Sequence, residues 1–131
     1  MPTQKRQFGD LGEEYAADFL RQKGYQILNR NFLAKFGELD IVAAKASGFL
    51  NSKIKEIVFV EVKTCDSATP LAFAAQNVHF FKKRRLIKTA QLYLRAKKIP
   101  PEIPWRIDVI LVALDGQNKL VKIEHLENAV W

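Results

Sequence analysis

Two short runs, Gly37-Glu38-Leu39-Asp40 and Phe59-Val60-Glu61-Val62-Lys63, each place ionisable side chains within apolar sequence. Both read as strands. Side chains alternate faces along a strand, so Glu61 and Lys63 share one face while Val60 and Val62 share the other. Burying charge in a strand is costly unless a partner or a metal compensates, and two strands carrying such groups point to a use for them. Hard cations such as Mg²⁺ or Mn²⁺ take carboxylate, carbonyl and water oxygens, with only one or two carboxylates from the protein. Asp40 and Glu61 supply two carboxylates, and the backbone carbonyl of Val62 can add a third oxygen. An ion held there would activate a water and offset the charge of a phosphate under attack. Lys63 can orient that water or stabilise the transition state electrostatically. An ordinary cross-strand ion pair is the competing use of Glu61 and Lys63.

Elements that position these groups can be read around them. If residues 37–44 and 57–64 pair as an antiparallel hairpin with Asp40 opposite Glu61, then Ala46 falls opposite Lys55 and residues 47–54 connect them. Opposed residues have Cβ atoms roughly 4.5–5.5 Å apart, close enough to share one ion. The strand at 57–64 is apolar on both faces until Glu61, as expected of a central strand. A first helix is expected from an N-cap at Asp10 to a left-handed cap at Gly24, with Leu11, Tyr15, Phe19 and Leu20 as its apolar stripe. At about 100° per residue, Glu14 lies on the polar side and Glu13 at the margin of the stripe, able to face the sheet. Glu13 can equally be a first-turn acid complementing the helix dipole. Further strands are expected at 25–32, before a turn at 34–35, and at 105–114 and 120–126 around an Asp115-Gly116 turn. Residues 66–78 read as irregular, and a second helix spans 80–97, ending before Pro100-Pro101. The order αβββαββ implies an α/β fold with a mixed β-sheet flanked by helices, within a single domain spanning 1–131.

The chain has 21 basic and 14 acidic residues, a net charge of +7, which favours polyanionic partners. Lys82, Lys83, Arg84 and Arg85 crowd the first turns of the second helix, where cations oppose the macrodipole, so helix stability does not explain them. Leu86, Ile87, Ala90, Tyr93 and Leu94 form its buried stripe, with Arg84, Arg85, Lys88 and Arg95 on the outer side. Lys82 and Lys83 flank the stripe, where one can lean over the acidic site. Such residues suit phosphate contacts, and a merely solvated face is the alternative. Phe73, Phe80, Phe81 and Trp105 are assigned to the core. The lone Cys65 excludes an intramolecular disulfide, and the separated His79 and His125 do not suggest a histidine-based zinc site. No apolar run reaches membrane-spanning length, and residues 1–7 lack a signal-peptide core, so the expectation is a cytoplasmic protein without a membrane partner.

The assembled motifs resemble a known family. Gly9-x-x-Gly12-Glu13-x-x-Ala16, Gly24-Tyr25-x-Ile27-Leu28-x-Arg30-Asn31, Gly37-Glu38-Leu39-Asp40-Ile41-Val42, Phe59 to Thr64, Lys82 with Arg85-Leu86, and Arg106-Ile107-Asp108-Val109 are similar to those of the bacterial YraN-like proteins. That family is described as predicted endonucleases distantly similar to archaeal Holliday-junction resolvases. The resemblance implies a restriction-endonuclease-like α/β fold with a PD-(D/E)xK-type site at Glu13, Asp40, Glu61 and Lys63. The implied activity is metal-dependent hydrolysis of phosphodiester bonds in DNA, including branched or structured DNA. A noncatalytic nucleic-acid-binding accessory protein of the same fold is the rival reading. RNA is compatible with the same phosphate contacts, and a homodimer is compatible with the chain. Cys65 departs from the family, which usually has an arginine there, and Ala68-Thr69-Pro70-Leu71 replaces a glycine-containing stretch.

Overall fold

Five strands and two helices make up the described residues, which in this computed structural model are 3–47, 53–68 and 80–130. In chain order they are α1 (Gln4–Gln22), β1 (Gln26–Ala34), β2 (Gly37–Ser47), β3 (Lys53–Asp66), α2 (Phe80–Ala96), β4 (Trp105–Leu114) and β5 (Leu120–Val130). The strands lie in sequence order in one sheet. All neighbours are antiparallel except β3 and β4, which run parallel on either side of α2 in the chain. A parallel pair needs a crossover rather than a hairpin, and α2 lies within that crossover. The expected restriction-endonuclease-like αβββαββ architecture is therefore the observed one. Among the described residues no helix is long and apolar enough to cross a membrane.

Each sheet face has its own core. On one, Ala16, Ala17 and Leu20 of α1 pack over Ile41, Ala43, Val58, Val60, Ile110 and Val112. On the other, Leu86, Ala90 and Tyr93 of α2 pack over Val42, Ala44, Ile57, Phe59, Ile107 and Val109. The stripe expected on the second helix is the one used, with Ile87 and Leu94 at its margin. Trp105 is a core residue as expected, meeting Phe59 edge-on at 5.8 Å. Phe73 lies outside the described residues, as do the side chains of Phe80 and Phe81.

Helix α1 begins earlier than expected. Its N-cap is Thr3, whose hydroxyl accepts from the Arg6 amide at 3.1 Å; Asp10 is inside the helix. Phe8 extends the apolar stripe past Gly9 and packs with the α1-side core, which carries the helix through a residue that alone reads as a breaker. The C-terminus follows expectation. Gly24 adopts φ +93, and the amides of Gly24 and Tyr25 donate to the carbonyls of Arg21 and Leu20, each at 3.0 Å. That is the Schellman pair of bonds.

The β2–β3 register agrees with the expected hairpin from Ile41↔Val60 to Lys45↔Glu56. Beyond that a bulge shifts it, so Ala46 faces Ile54 and not Lys55. Strand β5 continues past Leu126 to Val130 because a buried polar knot holds its end. Asp108, fully buried, accepts from Arg106 Nε at 2.9 Å, from His125 Nε2 at 2.7 Å and from the Asn128 amide at 2.8 Å. Arg106 also donates to Glu56 and to the Tyr25 hydroxyl, both at 2.9 Å. Burial works to raise the Asp108 pKa, but the bonds from His125, Arg106 and Asn128 outweigh it and hold the carboxyl below its usual range.

Candidate functional site

Asp40 stands where β2 stops pairing regularly with β3. Leu39, Val42 and Ala44 all pack on the α2 side, whereas strict alternation would send Leu39 to the other face. The strand therefore turns at Asp40, and its carboxylate reaches sideways to accept from the Val62 amide at 2.8 Å. A residue's N–H and C=O point toward the same neighbouring strand, so the Val62 carbonyl is directed to this side too. Extending the Ile41↔Val60 register by one residue sets Glu61 opposite Asp40. The pairs Arg30↔Ile41 and Phe32↔Leu39 likewise bracket Asn31 opposite Asp40. Asn31, Asp40 and Glu61 thus form a row across three strands.

Glu13 approaches that row from α1, and Gly12 sets how closely. A Cβ built on Gly12 would lie 1.9 Å from Thr64 Oγ1, so only glycine lets the helix seat here against β3. The amide nitrogen of Asn31, oriented to suit its neighbours, donates to Glu13 Oε1 and Glu38 Oε1, both at 2.9 Å. Arg30 pairs with Glu14, and its buried Nε has no hydrogen-bond partner among the described residues. A cleft of about 970 Å³ runs past these groups, lined by Glu13, Glu14, Arg30, Asn31, Glu38 and Asp40 together with the start of α1. A second cleft of about 430 Å³ includes Lys5, Val62, Thr64 and Asp66. The two share Gly9, Glu13 and Asp40.

Proton affinities report the crowding of acids. The Asp40 pKa is pushed up to about 8, first by burial and then by the Glu61 charge; Glu13 and a hydrogen bond with Glu61 add to this, against the opposing Val62 amide. Glu13 rises to about 7, first by burial and then through Asp10, with Arg30 opposing and Glu38 and Glu61 adding. A carboxyl whose pKa is raised by burial and by a neighbouring acid, as Asp40 is by Glu61, is relieved by a cation. Among the described residues no three His, Cys, Asp or Glu side chains are grouped so as to hold a metal by themselves. What the site offers is two carboxylates plus carbonyl and water oxygens, the donor set that suits Mg²⁺, so these residues fit such an ion.

The site residues expected from sequence divide into two groups. Glu13, Asp40, Glu61 and Val62 come together. Lys63 lies two residues beyond Glu61 on the same face of β3, half-buried; burial and Asp66 raise the Cys65 thiol pKa, and the Lys63 charge only partly opposes them. Neither Lys63 nor Glu61 is among the residues that line the two acidic clefts. Cys65 itself packs at the margin of the α2-side core with Sγ 3.7 Å from the Val112 carbonyl. Arg84, Arg85 and Lys88 are exposed and line a separate cleft of about 310 Å³ with Phe36. Lys83 is half-buried, Arg95 is exposed in the last turn of α2, and the Lys82 side chain lies outside the described residues. Arg30, Asn31 and Glu38 were not assigned to the site from sequence, although all three fall within the quoted motifs. The signal was the β1–β2 hairpin, whose register carries Asn31 to Asp40.

Comparison with known proteins gives one consistent family. Residues 12–112 match the model of an uncharacterised protein family, UPF0102. A UPF0102 protein of Roseiflexus castenholzii is 36% identical over 130 residues, covering 99% of this chain and 98% of the relative. One from Chloroflexus aurantiacus is 37% identical with the same coverage. One from Clostridium botulinum is 38% identical over 124 residues, covering 95% and 94%.

Proposed function

The chain belongs to the uncharacterised protein family UPF0102, the YraN family, and from its acidic row we propose a metal-dependent nuclease that hydrolyses phosphodiester bonds in DNA. The observation that carries this reading is Asp40. Its carboxylate is half-buried, held by the Val62 amide, and set beside Glu61, whose charge raises its proton affinity in a way that a divalent cation would relieve. A purely structural carboxylate is better served by an arginine, as Asp108 is by Arg106.

In this reading Asp40, Glu61 and the Val62 carbonyl would hold Mg²⁺ or Mn²⁺, which would offset phosphate charge and favour deprotonation of water. Glu13, half-buried and with a pKa near 7, exchanges a proton with water at the cleft near neutral pH. Lys63, on the Glu61 face of β3, would stabilise the developing charge of the reacting phosphate. Arg30 lines the cleft, and its guanidinium is a donor for a phosphate oxygen. Arg84, Arg85, Lys88 and Arg95 of α2 neutralise flanking phosphates.

The test is a nuclease assay with Mg²⁺ and with Mn²⁺ on single-stranded, duplex, flapped and four-way DNA, beside Asp40→Ala. Cleavage by the wild type that the variant loses supports the reading. Tight DNA binding with no cleavage under either metal would transfer it to a noncatalytic accessory protein.

A further inference from the structure

Phe36 is a large aromatic residue left 39% exposed at the β1–β2 turn. Its ring has Lys88 Nζ 5.2 Å and Lys35 Nζ 5.8 Å from its centroid. With Arg84, Arg85 and Lys88 it lines the cleft of about 310 Å³ beside α2. Among the described residues none of these four cations forms an ion pair with a carboxylate. Two of them, Arg84 and Arg85, lie near the helix N-terminus, where the macrodipole works against positive charge, and no acid stands in that first turn.

We infer that Phe36 is a stacking platform for an unpaired base, with Lys35, Arg84, Arg85 and Lys88 holding the phosphates of the strand that bears it. This rests on the nuclease reading and adds a substrate class to it: DNA carrying a single-stranded segment, such as a flap or an open junction arm. A blunt duplex presents phosphates but hides the faces of its internal bases. An aromatic ring within a basic groove is the combination that binds single strands, where each stacked base contributes to affinity and every base has a face to offer. The lysine–ring contacts are weak at an exposed site and give way as the amines turn to phosphates. A second copy of the chain is a poor occupant, because a two-fold contact would set this positive surface against itself. Phe36 precedes Asp40 by four residues, about 13 Å along an extended strand. That is about four steps of a stacked strand at 3.4 Å each, so a base stacked on Phe36 would lie about four nucleotides from the scissile position.

The experiment compares wild type, Phe36→Ala and Phe36→Trp in EDTA, so that no strand is cut. Fluorescein-labelled duplex with a single-stranded flap and the matching blunt duplex are titrated by anisotropy, and a flap carrying 2-aminopurine reports stacking. The wild type is expected to prefer the flap and to quench the 2-aminopurine. Phe36→Ala should lose about tenfold in flap affinity together with the quenching, keep its blunt-duplex affinity, and melt like the wild type; Phe36→Trp should retain all three properties. Equal losses on both DNAs, or no loss on either, overturn the inference. So does a dimer that Phe36→Ala dissociates in sedimentation with flap preference unchanged, which assigns the surface to a second copy. Cleavage of DNA by wild type with flap preference intact in Phe36→Ala removes this inference alone. Binding of neither DNA by wild type removes the DNA reading as well.

Discussion

The backbone amide of Val62 donates to Asp40 Oδ2 across 2.8 Å, and this one bond ties the two motif strands together at the point where charge is least welcome. It fixes the orientation of the Asp40 carboxylate and helps hold it beside Glu61. It also opposes the rise in the Asp40 pKa, but burial and the Glu61 charge outweigh it. A site organised in this way is strained electrostatically when empty of cations.

Relief of that strain predicts a metal response. Mn²⁺ or Mg²⁺ should raise the melting temperature of the wild type, since a ligand at about 100 times its dissociation constant contributes about 2.7 kcal/mol. Asp40→Ala and Glu61→Ala should each remove most of the increment, as read by calorimetry. Equal stabilisation of the wild type and both variants would exclude this pair as ligands.

The same carboxyls predict how stability varies with pH in the absence of metal. Asp40 has an ordinary pKa of 3.8 but about 8 in the folded chain, and Glu13 moves from 4.5 to about 7. Between those values the folded state binds more protons than the unfolded state, so stability falls as pH rises. The contribution is complete below the unfolded values and gone once pH has passed the folded ones. Asp108 acts in the opposite direction: its pKa is lowered, so its contribution is lost only in acid, as pH falls through its depressed value. Urea denaturation in EDTA should therefore show stability declining from about pH 5 to pH 9, and Asp40→Asn should flatten that decline. Because protons compete with the cation, the metal-induced rise in melting temperature should be larger at pH 9 than at pH 6. A flat profile in the wild type would contradict the raised proton affinity of these half-buried acids.

Much of this site was legible because β-strands have a period of two and hairpins have a register. Placing Glu61 opposite Asp40 required only that Val58, Phe59 and Val60 face the apolar residues of β2, which they do. The helix stripe over Leu86, Ala90 and Tyr93 was legible from its 3.6-residue spacing in the same way. Other features depended on contacts that no local pattern encodes. Helix α1 extends back to Thr3 because Phe8 finds a place in the core. Asn31 reaches the acids because it adopts φ +53 within a strand, a conformation that asparagine tolerates but does not announce. Arg84, Arg85, Lys88 and Arg95 were read correctly as an exposed basic face. Their neighbour Phe36 was not found, since a turn aromatic signals nothing until the turn is seen against α2.

Gly12 predicts a steric control of the site. Its absent Cβ would lie 1.9 Å from Thr64 Oγ1 and 2.8 Å from Cγ2, so Gly12→Ala must push α1 away from β3 and carry Glu13 with it. Overpacking of this kind costs about 1–3 kcal/mol, measurable by urea denaturation, and any metal-dependent cleavage should fall further than stability does. Thr64→Ala in the same chain removes these two atoms, leaving Thr64 Cβ at 2.9 Å, and should restore part of both stability and cleavage. Full stability in Gly12→Ala alone would mean that the helix does not sit as closely as described.

Binding and chemistry should separate between α2 and β3. Arg84, Arg85 and Lys88 gather on one cleft, whereas Arg95 stands in the last turn of the helix, about 10 Å further along its axis than Lys88 at 1.5 Å per residue. Each phosphate left without its cation lowers the slope of log affinity against log salt by roughly 0.9 for duplex DNA. Replacing Arg84, Arg85 and Lys88 with alanine should therefore flatten the slope by about three times that amount, and adding Arg95→Ala should flatten it further if one DNA spans the helix. Lys63 is assigned to the reacting phosphate alone, so Lys63→Ala should leave affinity and slope nearly unchanged while abolishing cleavage, an effect confined to the transition state. A salt titration of affinity with cleavage followed in parallel reads both outcomes. An unchanged slope in the triple variant would place the binding face elsewhere. Normal cleavage by Lys63→Ala would remove the lysine from the mechanism and leave Asp40 and Glu61 to account for any activity.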